Sequence, residues 1–359
     1  MIKKIALYDL RLPLVVPYGN SLGVLKEFTT IIAILTDENG NEGIGEATPA
    51  QPGYQEESPE SIWEFVRKKA PIVLEMDLDE AYSYIHGFKD KFPFATTTYL
   101  TALEELKGES VLQIPEEGVR FPLVGIINPP AGESLEEHIE KRIAEGYKSL
   151  KLKIGFELEK DIQKVRKVQD LVAGRALLRL DANQAYSYDE AISFVNSVSP
   201  DGIELLEQPL KTDRWDDMQR LAKVSPLPLM LDESIFNIND VIKAGELECA
   251  RYIKFKLMKS ASALNMKKEI ETARKYNIEI LVGNGVASDI GCLHETLIGN
   301  FCGVTAAGEQ NGYLKPKVSI FKDKLQFSQG DMVIPAGYKR ELDLDVIEEY
   351  SRDSFIIEK

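Results

Sequence analysis

Five side chains stand out by type and spacing: Lys153, Asp181, Glu207, Asp232 and Lys256, separated by 28, 26, 25 and 24 residues. Each closes or follows a short apolar run. The runs end in Lys151-Leu-Lys153, Leu180-Asp181-Ala-Asn183, Leu206-Glu207-Gln208-Pro209 and Leu231-Asp232-Glu233-Ser234, and the next carries Lys254-Phe-Lys256. One strand-plus-helix unit of a (β/α)8 barrel takes roughly 25 to 30 residues, since about 250 residues make eight units. The five side chains therefore recur once per unit at the same end of successive strands, where barrel enzymes hold their chemistry. Taken singly, an acidic residue after a strand is ordinarily a helix cap or turn residue; the joint spacing carries the reading. Three carboxylates from adjacent strands form a hard oxygen site suited to Mg2+, with Mn2+ as a substitute. A lysine on each side points to a small-molecule carboxylate held between two opposed amines. The chemistry is removal of the proton next to that carboxylate, with the metal spreading the charge of the resulting enolate. A lysine beside other cations loses its proton more readily than in water and so acts as the base.

The elements that must position these residues follow from the rest of the chain. Its 359 residues, 44% hydrophobic and 28% charged, suit a barrel plus a second domain. Apolar runs at 122–127, 150–154, 176–180, 203–206, 227–231, 252–257, 278–282 and 304–307 alternate with helical patterns at 134–145, 157–171, 188–198, 215–224, 262–275 and 289–298. Parallel strands need crossover helices, so eight such runs predict an α/β fold of the (β/α)8 TIM-barrel type over 121–327. A doubly wound open sheet lacks support, because no glycine-rich phosphate loop follows an early strand. Residues 1–120 read as an α+β capping domain, completed by the C-terminal segment at about 328–359. Within it, 5–14 reads as an edge strand, 28–35 and 42–46 flank a hairpin turn at 37–41, 49–59 is a loop, and helical patterns cover 59–74 and 94–106. The tail, 343–359, reads as acidic and helical.

A formal net charge of −15 argues against a nucleic-acid partner. No run of 18 apolar residues predicts a membrane span, and the first residues do not read as a signal peptide, so a cytoplasmic enzyme is the expectation. Cys249, Cys292 and Cys302 form no metal-spaced motif and read as reduced packing residues. Three histidines in all (His86, His138 and His294) argue against a histidine-rich metal site.

These residues resemble the enolase superfamily in its muconate-lactonizing subgroup. The matching strings are Lys-Leu-Lys-Ile-Gly (151–155), Arg-Leu-Asp-Ala-Asn-Gln-Ala-Tyr (179–186), Leu-Glu-Gln-Pro-Leu (206–210), Leu-Asp-Glu-Ser (231–234) and Phe-Lys-Leu-Met-Lys (255–259), with Gly-Ile-Gly-Glu-Ala-Thr-Pro (43–49) similar to the capping domain. The resemblance implies Asp181, Glu207 and Asp232 as Mg2+ ligands. It implies Lys153 and Lys256 as acid/base catalysts on opposite faces of the substrate. Lys151 would depress the pKa of Lys153 and neutralise the carboxylate, while Asn183 and Glu233 would support the metal and the distal lysine. Loops at 18–25 and 49–57 would close over the site, which makes Tyr18 and Tyr54 substrate-binding candidates together with Asn284, Asp289 and Glu309. Whether the assembly is a homo-oligomer stays open.

Members of the subgroup share the first step and differ in the second. Two opposed lysines allow 1,1-proton transfer, hence racemisation or epimerisation; a leaving group at the β-carbon gives elimination, as in o-succinylbenzoate synthases; cycloisomerisation is a third outcome. Glu-Gln-Pro and Lys-Leu-Met-Lys are most similar to dipeptide epimerases of the L-Ala-D/L-Glu type. Departures are Ser260-Ala-Ser262 where those enzymes carry a Gly-Gly pair, and Gly308-Glu309-Gln310-Asn311 where they carry Asp-x-Asp. Asn284 and Asp289 read equally as substrate contacts or as a turn and a helix cap. His294 falls inside the following helix and reads as a packing residue rather than the catalytic histidine a mandelate-racemase mechanism requires.

Overall fold

A computed structural model describes residues 1–20, 23–49 and 56–359, with the side chains of 18–20 and 23 undescribed. The chain opens on β1 (Ile2–Asn20), β2 (Gly23–Asp37) and β3 (Glu42–Ala47), then α1 (Pro59–Leu74), α2 (Leu78–His86) and α3 (Pro93–Leu106). Next come β4 (Val119–Pro122), β5 (Gly125–Ile127), α4 (Leu135–Ala144), β6 (Ser149–Lys153), α5 (Leu158–Val172), β7 (Leu177–Asp181), α6 (Tyr188–Ser197), β8 (Ile203–Glu207) and α7 (Trp215–Ala222). The remainder is β9 (Leu229–Leu231), α8 (Ile238–Leu247), β10 (Tyr252–Phe255), α9 (Leu257–Ser260), α10 (Ala263–Lys275), β11 (Glu279–Val282), α11 (Asp289–Phe301), β12 (Gln326–Ser328), β13 (Asp331–Ile334), α12 (Leu344–Glu349) and β14 (Ser351–Glu358).

Local chemistry sets many boundaries. Ser58, Asp77, Ser134, Ser187 and Asn237 each accept a backbone N–H of the following helix, and residue three returns the bond in a capping box. Pro59 and Pro93 open α1 and α3, where a missing N–H costs nothing. Asp37 accepts from the backbone N–H groups of Asn39 and Asn41, which closes the β2–β3 hairpin at the expected turn.

The first sheet runs β14-β1-β2-β3 and is antiparallel. Two sequence expectations fail here. Residues 5–14 are not an edge strand, because β14 pairs along Lys4–Leu10 on the far side of β1. The tail is helical only over Leu344–Glu349; its end is a strand. Acidic composition reads as a helix, but the pairing partner lies some 350 residues upstream and overrides that propensity. Both faces of β1 and β2 are covered. Ile5, Leu7, Ile31, Ala33 and Leu35 pack on α1–α3, while Ala6, Tyr8, Leu10, Ile32 and Ile34 belong to the larger core shared with the parallel sheet.

The second sheet is parallel with the order β11-β10-β9-β8-β7-β6-β5, seven neighbouring strands in chain sequence; five of the predicted helices lie between them, together with α8, a crossover the sequence reading does not name. The eighth expected run, 304–307, is not a strand. The backbone that follows it is nonetheless bonded to β11 and to the residues just ahead of β5: Gly308 N donates to Pro122 O at 2.8 Å, Val124 N to Gly308 O at 2.9 Å, and Glu309 N to Val282 O at 3.0 Å. The expected first run also divides. Val119–Pro122 pairs antiparallel with β13 in a three-stranded sheet, and only Gly125–Ile127 enters the parallel ladder.

Carboxylates of the N-terminal part sit on the N-termini of two helices that flank the parallel sheet. Glu46 accepts from the N–H groups of Ser288 and Gly291, each at 2.8 Å, at the start of α11. Glu104 accepts from those of Ala263 and Leu264, at 2.8 and 3.2 Å, at the start of α10. Unpaired N–H groups and the helix dipole both favour an anion there. His294 is fully buried in α11 and bonds Glu105 of α3 at 2.9 Å, so it ties the two parts together. All three cysteines are free thiols, Cys249 and Cys292 buried and Cys302 partly so. No helix among the described residues is long and apolar enough to cross a membrane.

Candidate active site

Parallel register brings the spaced residues together. Lys153 on β6 is the Cα partner of Asp181 on β7, and Asp181 that of Glu207 on β8. Asp232 follows β9 directly and Lys256 follows β10. Lys153, Asp181, Asp232 and Lys256 line a cavity of about 1170 Å3 together with Lys151 and Glu309, while Glu207 is fully buried. The backbone at these strand ends is strained. Asn183, Gln184 and Gln208 have φ of 41°, 68° and 36°, in the left-handed region that disfavours side chains beyond Cβ. Gln208 compensates: its Oε1 accepts from Asp232 N at 3.1 Å and Ser234 N at 3.2 Å, and its Nε2 donates to Ser234 Oγ at 2.8 Å.

The carboxylates are laced together by ammonium groups. Lys151 Nζ lies 2.9 Å from Asp181 Oδ2, 2.7 Å from Glu207 Oε2 and 2.5 Å from Glu309 Oε1. Lys254 Nζ contacts Glu207 Oε1 and lies 2.8 Å from Asp232 Oδ2 and 3.3 Å from Glu309 Oε1. Lys153 Nζ donates to Asp181 at 2.6 Å and to Asn183 Oδ1 at 2.5 Å; Lys256 Nζ donates to Asp232 Oδ2 at 2.8 Å. Asn183 in turn donates to Glu233 Oε1 at 2.9 Å, while Glu233 Oε2 is buried without a hydrogen bond. Burial alone would raise Asp181 and Glu309, but the adjacent Lys151 and Lys254 ammoniums overrule it and hold both below the usual carboxylate range.

Asp181, Glu207 and Asp232 offer only oxygen donors, the chemistry a hard divalent ion takes. Glu207 Oε2 is buried and makes no aligned hydrogen bond, its nearest cation being Lys151. The donor set therefore fits such an ion. As placed, however, no three acidic, histidine or cysteine side chains among the described residues converge on one point, because the Lys151 and Lys254 ammoniums stand between the carboxylates.

The other expected residues separate. Glu309 lines the cavity but is occupied by Lys151 and Lys254. Asn284 lines it too; its Oδ1 accepts from Val286 N at 3.1 Å in a turn. Asp289 does not reach the cavity: it is buried at the start of α11, and its carboxylate accepts from Ser319 Oγ at 3.0 Å and Ile320 N at 3.1 Å. Its helix is capped by Ser288 instead. Tyr54 lies outside the described residues, as does the side chain of Tyr18. At the Ser260-Ala-Ser262 departure, Ala261 adopts φ 65°, the conformation in which glycine costs least.

Two residues of the site carry no role in the sequence reading. Lys254 was signalled only by a second Lys-x-Lys string, whose alternation places Lys254 and Lys256 on one face of the strand. Lys259 closes Lys-Leu-Met-Lys; its Nζ donates to Asp232 O at 2.8 Å and lies 4.6 Å from the centre of the Phe236 ring. Burial pushes it down to about 8, against the pull of Asp232.

Comparison with known proteins agrees with this arrangement. A family model described as enolase C-terminal domain-like matches residues 134–338, more than half of the chain. The N-succinyl-L-Arg/Lys racemase of Bacillus cereus is 26% identical over 300 residues, 80% of this chain and 81% of that protein. The L-Ala-D/L-Glu epimerase of Clostridium acetobutylicum is 26% identical over 298 residues, 79% and 82% of the two chains. Muconate cycloisomerase 1 of Acinetobacter baylyi is 24% identical over 374 residues, 98% and 100%. The crystal structure of the Bacillus cereus racemase superposes with a TM-score of 0.87 at 24% identity, covering 99% of both chains. With its lysines and carboxylates at the ends of neighbouring parallel strands, the chain is an enzyme of the enolase superfamily, in its muconate-lactonizing subgroup.

Proposed function

We propose that the protein is a Mg2+-dependent racemase or epimerase that moves the proton α to a substrate carboxylate, on a barrel closed at its eighth position by the Gly308–Glu309 backbone. One observation carries the reading: Lys153 and Lys256, from strands four apart in the sheet order, both line the cavity with the three carboxylates between them in sequence and in space. Asp181, Glu207 and Asp232 would hold the ion, which when bound supplies positive charge where the enolate forms. Lys153 or Lys256 enters neutral and takes the α-proton; the other, protonated, returns one to the opposite face, so the stereocentre inverts. Reversal exchanges their roles. Asn183 holds Lys153 by its Oδ1 and Asp232 holds Lys256, which fixes each amine in place. Lys151 neutralises buried carboxylate charge beneath them.

The substrate class favoured first is an L,L-dipeptide, supported by the similarity to L-Ala-D/L-Glu epimerases. A second class, N-acylated amino acids, is supported by Glu309 and Asn311. Glu309 is already bound by two ammoniums, and Asn311, which accepts from Lys315 Nζ at 3.1 Å, carries no charge, so this corner offers no free carboxylate to a substrate ammonium. The test is incubation of L,L-dipeptide and N-acyl-L-amino-acid libraries in D2O with Mg2+, read by mass and by loss of the α-proton resonance. Deuterium uptake at the α-carbon with inversion is the expected result; inversion is abolished in Lys153→Ala and Lys256→Ala, while a lysine left facing the α-proton still exchanges it with retention. Inversion that persists in either variant refutes the two-lysine mechanism, and no uptake from either library refutes both substrate classes.

A further inference from the structure

The chain carries two Lys-x-Lys strings on well-separated parallel strands: Lys151-Leu-Lys153 on β6 and Lys254-Phe-Lys256 at the end of β10. In each the inner lysine is the more buried: the side chains of Lys151 and Lys254 are 4% and 1% exposed, those of Lys153 and Lys256 31% and 9%. The family resemblance assigns roles to Lys151, Lys153 and Lys256, and none to Lys254. Yet Lys254 touches more of the carboxylate group than Lys256 does. It bridges Glu207 and Asp232 and reaches Glu309, as Lys151 bridges Asp181 and Glu207 and reaches Glu309.

Charge makes this arrangement consequential. Lys164, Asp240 and Lys315 also line the cavity; at its floor Asp181, Glu207, Asp232, Glu233 and Glu309 stand against Lys151, Lys153, Lys254, Lys256 and Lys259, five formal charges of each sign within this cluster. All but Lys153 are largely or wholly buried, where unbalanced charge is expensive. A divalent ion at Asp181, Glu207 and Asp232 adds two positive charges to a balanced set. It must also draw Glu207 and Asp232 away from Lys254. Without Lys254 the same set is one charge negative, and two of the three carboxylates lose a competing cation.

We propose that Lys254 is a resident counter-charge, a positioning residue that holds Glu207 and Asp232 in the metal-free protein and keeps divalent-ion affinity low. This rests on the metal reading above for where the ion binds. The experiment is titration of the purified full chain with Mn2+ alone, reading free Mn2+ by electron paramagnetic resonance, for the wild type, Lys254→Met and Lys254→Gln. Both neutral variants are expected to bind Mn2+ at least about tenfold more tightly than the wild type, and Mn2+ is expected to raise their melting temperatures more than the wild type's. Equal or weaker affinity in both variants overturns the role of Lys254 while wild-type binding leaves the metal reading in place. Absence of Mn2+ binding from all three overturns both. If neither variant folds alone, refolding in Mn2+ decides: recovery of the native fold supports the proposal and continued misfolding overturns it.

Discussion

Asp289→Asn separates a structural carboxylate from a catalytic one. The Asp289 side chain is buried, and burial pushes its pKa up to about 6 from the ordinary carboxylate value near 3.8. Its two partners, Ser319 Oγ and Ile320 N, pull the other way without cancelling the effect. Because the folded-state pKa is raised, the folded protein binds more protons than the unfolded chain between pH 4 and 6. Stability from this group is therefore greatest below about pH 4, falls as pH rises through 6, and is flat above it. A shift of about two units corresponds to roughly 3 kcal/mol at most. Asparagine fits the same bonds: its Oδ1 accepts from Ile320 N and its Nδ2 donates to the Ser319 hydroxyl. Urea unfolding at pH 4 and pH 7 measures the difference. Asp289→Asn is expected to gain stability relative to the wild type on going from pH 4 to pH 7, by up to about 3 kcal/mol. Because Asp289 lies away from the cavity, kcat/KM at pH 7 is expected within about twofold of wild type, a margin under 0.5 kcal/mol. A constant stability difference at the two pH values refutes the buried-carboxylate assignment. Loss of turnover in a stably folded variant refutes the structural one.

Glu309→Gln leaves Lys151 and Lys254 with one charge fewer to neutralise them, so it is expected to cost about 3 kcal/mol of stability, measured by urea unfolding at pH 7. Gly45→Ala drives a methyl into the Thr98 carbonyl oxygen and Thr101 Oγ1; forcing β3 from α3 is expected to cost about 3 kcal/mol, seen as a fall in melting temperature. Glu46→Ala removes the acceptor from Ser288 N and Gly291 N at the start of α11 and is expected to cost about 2 kcal/mol, with faster amide exchange at both positions.

How much was legible in the sequence divides by the range of the interaction. The one-unit spacing from Lys153 to Lys256, the helical patterns at 134–145 and 188–198, and the Asp37–Asn41 hairpin are properties of neighbouring residues. Helix capping, turn chemistry and the strand-helix period act over a few residues to a few tens, so the chain states them directly. The parallel order of seven strands follows, since each crossover helix returns the next strand beside the last. What the tertiary structure decided are contacts between distant segments. The last eight-residue strand looks acidic and polar, and only β1 makes it a strand. The backbone just after the eighth run gains its place through hydrogen bonds to Pro122 and Val282, and the run itself has no strand geometry. Asp289 and Glu309 are equally acidic in the sequence. One turns to the Ser319 hydroxyl and the Ile320 backbone N–H and the other to Lys151 and Lys254, a choice set by groups more than twenty residues away. Lys254 is an ordinary lysine in a strand until three carboxylates from distant segments surround it, and burial among opposite charges is what turns it into part of the site.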